Sequence, residues 1–137
     1  MGVTSPPTAL RGRGPVSSAV GMAVDLHDVR AIAMSLPRTE EHLIRQHVKF
    51  RVGRIVYASV SPDEEIMGFG YPREERGELL AAEPDKFLPP LPSDERYQWL
   101  RVRLGAIDEA ELRELLVDAW RMVVPKRVAR EHREPGA

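Results

Sequence analysis

In the stretch "RYQWLRVRLG", residues 96–105, Leu100, Val102 and Leu104 fall on one side of an extended chain, and Trp99, Arg101 and Arg103 on the other. Side chains of a strand alternate between two faces, so this period of two describes a strand that is buried on one face only. Such strands belong to antiparallel sheets that carry a packing layer on one side. The residues that follow supply that layer. In "IDEAELRELLVDAWRMVV", Asp108 and Glu111 form an acidic capping box, Ile107 can staple to Leu112, and Leu112, Leu115, Leu116, Ala119, Trp120 and Val123 make an apolar stripe at helical spacing. Pro125 ends the helix.

Upstream, "DLHDVRAIAMSL" predicts a helix with Asp25 as N-cap, Val29, Ile32, Ala33 and Leu36 on one face, and a staple between Val24 and Val29. Pro37 closes it, and "RTEEHLIRQH" reads as a polar connection. Strands are expected at 48–52, 54–60 and 65–71, with Gly53 in a tight hairpin and "SPDEE" as the next turn. Pro72 is placed in the first turn of a short helix, "REERGELLAAE", whose Leu79 and Leu80 face the core. "PDKFLPPLPSDE" is a proline-rich connection. This order predicts an α+β fold: a two-layer sandwich of one antiparallel sheet with helices packed on one face.

The 137 residues fit one domain, expected over 22–125, after a disordered Gly/Pro/Ser/Thr-rich leader at 1–21 and before a basic, frayed tail at 126–137. Met22, just before the first helix, is a candidate translation start. The absence of cysteine removes disulfide scaffolds, thiolate zinc sites and cysteine nucleophiles together. No apolar run approaches the roughly 18 residues of a membrane span, so a cytoplasmic protein without a membrane partner is expected; it is also expected to be a monomer. Net charge is −1, and without Arg11 and Arg13 of the leader 18 basic groups face 21 acidic ones. That is not the global signature of a nucleic-acid binder. Any DNA contact must come from a local patch.

One patch is visible. In "VKFRVGRIVYASV", Lys49 and Arg51 share a side of the first strand, opposite Phe50, and Arg54 sits at the hairpin turn. If that side coincides with the side of Trp99, Arg101 and Arg103, several cations surround an aromatic, which combines phosphate attraction with stacking. The same charges also suit solvated strand positions that keep a sheet from aggregating. Metal and catalytic signals are weaker still. His27, His42, His47 and His132 lack zinc-site spacing; Ser35, Ser59 and Ser61 lack a nucleophile context; "MGFGY" is not a phosphate loop. No metal, cofactor or enzymatic activity is expected.

The helix ending in "SLP", the "EE" after it, "KFRVGRIVYASV", "LLAAEPDKF" and "WLRVRLGAIDEAELRELLVDAWRMV" together resemble the MmcQ/YjbR family over roughly residues 25–125. Two departures are Arg54, where the family often has Lys, and Ala119–Trp120, where it has a Ser-Tyr pair. The resemblance implies a frataxin-like, or CyaY-like, sandwich and DNA binding that is weak and sequence-tolerant. Lys49, Arg51, Arg54, Trp99, Arg101 and Arg103 are the residues expected to carry it. A frataxin-like fold also suggests iron on an acidic ridge, but the first helix offers only Asp25 and Asp28. The alternative function is a non-enzymatic module that binds a protein or small ligand on the same face or its adjoining cleft.

Overall fold

A computed structural model describes residues 23–132. Along the chain lie α1 (Leu26–Ser35), β1 (Thr39–Ile44), β2 (His47–Val52), β3 (Ile55–Val60), β4 (Ile66–Gly70), α2 (Arg76–Ala82), β5 (Phe87–Leu88), β6 (Trp99–Arg103), α3 (Glu109–Arg121) and α4 (Lys126–Glu131). The strands form one sheet in the order β1-β2-β3-β4-β6-β5, antiparallel at every pairing. The α+β sandwich expected from the periodicity is the fold observed.

Helix α1 starts where Asp25 and Asp28 exchange side-chain to backbone hydrogen bonds, a complete capping box. Helix α3 starts at Asp108, whose carboxylate accepts from the Glu111 N–H at 2.8 Å. Their apolar faces cover the same side of the sheet. Val29, Ile32 and Ala33 of α1 and Leu112, Leu116, Ala119 and Trp120 of α3 close over Phe50, Tyr57, Ala58, Val60, Met67, Phe69, Leu100 and Val102. Trp120 is fully enclosed, and its indole N–H donates to the Pro37 carbonyl at 2.8 Å.

A register shift in β3 sets the inner face. Phe50 pairs with Ala58 and Arg51 with Val56, leaving Tyr57 as the extra residue of a bulge. Tyr57 and Ala58 are therefore both buried in succession. The Tyr57 hydroxyl reaches Thr39 Oγ1 at 2.8 Å and tethers the start of β1.

Four local expectations differ from the structure. The polar connection after Pro37 contains β1, an edge strand whose inward Glu41 is held by a bidentate Arg30 rather than by apolar packing. Arg45 and Gln46 turn that hairpin with φ of 51° and 70°, without the glycine that usually announces such a turn. Pro72 lies ahead of α2 instead of inside its first turn, and the proline-rich connection contributes the two residues of β5. The tail expected to fray begins with α4, because Val128 and Ala129 pack on the core and His132 meets Trp120 edge-on, with 4.9 Å between ring centroids. The leader lies outside the described residues, as do residues 133–137.

Two outcomes follow from the core. Leu116→Ala should lower stability by about 2–5 kcal/mol in urea unfolding, the usual cost of such a cavity; a change within error would place the α3 stripe on the wrong side. Burial pushes the Tyr57 phenol up to about 12, partly opposed by its hydrogen bond with Thr39. An unfolded tyrosine titrates near 10, so the folded state holds this proton more tightly. The stability tied to it is complete below about pH 10 and is lost as pH rises toward about 12, a loss of roughly 2–3 kcal/mol. Denaturation of the parent chain and Tyr57→Phe across that window should show the steeper decline in the parent; parallel declines would assign the loss to other groups.

Candidate binding groove on the open face of the sheet

Because α1 and α3 take one face, the other carries the outward residues of every strand. Register places them in rows. The central row runs Lys49, Ser59, Gly68, Arg101, Leu88, with His42 beyond Lys49 on β1. One end of the face carries Ile44, His47, Ile66 and Arg103; the other carries Glu40, Arg51 and Trp99. The six residues singled out in the sequence are thus spread over one face and its rim, with Arg54 exposed in the β2–β3 turn.

Three of the six converge. Lys49, Trp99 and Arg101 line a groove of about 500 Å³ together with Ile44, Arg45, His47, Ser61, Asp63, Ile66, Gly68, Leu91, Ser93 and Asp94. Arg51, Arg54 and Arg103 lie outside that lining. Arg51 stands across from Glu40 of β1, and its Nε is enclosed without a hydrogen-bond partner among the described residues.

Groove shape comes from small side chains on the floor and a loop at the side. The half-buried indole of Trp99 closes over Gly68, where a Cβ would lie only 2.7 Å from Nε1. Only glycine permits that approach. The side wall is the proline-rich segment after β5. Arg101 donates from Nε to the Pro89 carbonyl at 2.8 Å, so its guanidinium both lines the groove and anchors the wall. Arg76 of α2 donates to the carbonyls of Glu95, Tyr97 and Trp99, and Arg73 to that of Arg96.

The electrostatics are mixed. Among the described residues, Lys49, Arg51, Arg54, Arg101 and Arg103 make no ion pair, whereas Arg30, Lys86 and Arg113 on the helix layer or sheet edge are paired. Two carboxylates share the groove. Hydrogen bonds from the Ser61 hydroxyl and then the Glu65 N–H hold the Asp63 carboxyl below its ordinary range, so it stays anionic. Asp94 joins it from the wall.

Reading the sequence alone missed Arg45, His47, Asp63, Gly68 and the wall residues. "MGFG" was a usable signal, since a glycine inside a strand marks close approach by another group. The four histidines do not converge. Asp25, His27 and Asp28 lie close together, but both carboxylates already cap α1.

The YjbR family model matches residues 34–122. The chain belongs to the YjbR family. No curated protein matches it. Among solved structures it is similar to the Deinococcus radiodurans protein DR2400, described as a DUF419 domain, with 22% identity and a TM-score of 0.70 over 86% of this chain and 99% of that one. At that identity the likeness concerns the fold alone. The match spans α3 and every strand of this YjbR-family sheet, and therefore the whole groove. No helix among its described residues is long and apolar enough to cross a membrane.

Gly68→Ala should displace the indole and lower stability by about 1–3 kcal/mol, the usual range for overpacking, with a red shift in tryptophan emission. In a Trp99→Ala background the same change should cost almost nothing. An equal cost in both backgrounds would mean that the strand, not the indole, requires glycine.

Proposed function

We propose that this YjbR-family protein binds DNA weakly and with little sequence preference through the open face of its sheet, as a cytoplasmic monomer without catalytic chemistry. The observation that carries the reading is the convergence on the half-buried Trp99 of Lys49 and Arg101, which make no ion pair among the described residues. Phosphate contacts give affinity without sequence information, because every nucleotide presents the same charge. An aromatic beside them adds stacking that any base can use. A chain of net charge −1 then binds through local arrangement alone.

A second reading, a small ligand held in the same groove, is favoured by the walled shape and by a volume inside the usual range for small-molecule sites. Salt separates the two. Binding built on phosphate neutralisation weakens steeply as salt rises, whereas a ligand held by apolar contact is nearly indifferent.

Lys49 and Arg103 are suited to the test because neither makes a side-chain hydrogen bond or ion pair among the described residues. Replacing both with Ala should leave the fold intact, weaken binding to unrelated DNA sequences about equally, and reduce the slope of log K against log salt by about 1.5. Fluorescence anisotropy at several salt concentrations reads both quantities. An unchanged slope, or no binding by the parent chain tighter than about 10⁻⁴ M at low salt, overturns the proposal.

A further inference from the structure

The walled groove narrows the form of DNA that the face accepts. A duplex carries its phosphates on the outside of a stiff rod too broad to enter a space of about 500 Å³, and its base faces are stacked out of reach. An unpaired nucleotide is of the right size and offers its base and its phosphates together. We infer, on the basis of the DNA-binding reading above, that the groove takes one unpaired nucleotide of a single DNA strand, with the base lodged beside Trp99 and the flanking phosphates on Lys49 and Arg101.

The placement of charge supports this orientation. Lys49 and Arg101 stand in the same row, three strand spacings apart through Ser59 and Gly68, which is about 14 Å between backbones. Lys49 is long enough to reach inward over Ser59, whereas Arg101 is held at Nε by the Pro89 carbonyl and keeps its terminal guanidinium nitrogens without a hydrogen bond among the described residues. Between them the floor is low, because Ser59 has a short side chain and the Trp99 indole lies down against Gly68. Asp63 and Asp94 repel a phosphate from their parts of the lining, yet both can accept hydrogen bonds from base N–H groups. The strand's backbone is thereby directed to the cations and its base to the carboxylates and the indole.

Trp99 is then a contact residue, while Gly68 and the Pro89 carbonyl are positioning elements. The first lets the indole sit low enough to leave the groove open, and the second holds Arg101 against the wall.

The test compares a labelled oligothymidylate of about 12 nucleotides with a blunt duplex of the same length, a size within the range of single-strand sites. Both are titrated by anisotropy at one low salt concentration with the full chain, Trp99→Phe and Trp99→Leu. The parent chain should bind the single strand at least about tenfold more tightly than the duplex. Trp99→Phe should retain that preference, and Trp99→Leu should lose about tenfold on the single strand alone. Circular dichroism checks that both variants fold. If Trp99→Leu does not fold, the preference of the parent chain decides.

Equal or tighter duplex binding by the parent chain overturns the inference and leaves DNA binding standing. So does a folded Trp99→Leu that binds the single strand as the parent does. Failure to bind either form overturns both.

Discussion

The hydrogen bond from the Trp120 indole to the Pro37 carbonyl joins α3 to the end of α1 across 83 residues of chain. It satisfies the one polar atom of the largest fully buried side chain, and so lets a tryptophan occupy the centre of the helix layer. With α1 and α3 fastened together on one side, the sheet has a single dry face. Everything on the other side follows. Strand geometry spreads the cations over that face, away from the carboxylates of the helices, and a loop can lie over the surface without competing for a place in the core.

Elements that bury an apolar face were legible. β6 and α3 show their faces as alternation and as a stripe, and both lie where the pattern places them. β1 was hidden because two of its inward positions are satisfied by a hydrogen bond and an ion pair, Thr39 by Tyr57 and Glu41 by Arg30, while the third, Leu43, stays exposed. Those partners are remote in sequence, so no local window contains them. The bulge at Tyr57 was hidden for a related reason, since an extra residue in one strand is defined only against its neighbour. α4 is too short for a helical period to emerge, and Pro125 reads as a stop although it stands at the start of a new helix.

The site was legible in kind and not in extent. Alternation put Lys49, Trp99, Arg101 and Arg103 on outward positions, and that is where they are. It could not rank them, because which outward residues meet depends on register across four strands and on a loop that follows no period. The groove selects Lys49, Trp99 and Arg101, and adds carboxylates that a search for basic residues passes over. Whole-chain charge was equally uninformative, since acidic groups on the helices offset these cations in the sum without standing beside them.

Arg76 spends all of its short contacts on the protein's own backbone, with carbonyls of residues 95, 97 and 99 gathered around one guanidinium. Those oxygens would otherwise be satisfied by water or by a strand partner that this segment does not have. A single side chain thus does the work of a missing sheet neighbour, and the chain entering β6 is ordered before anything binds. A guest in the groove meets a finished surface, and the entropy of shaping it has been met in folding rather than charged against affinity.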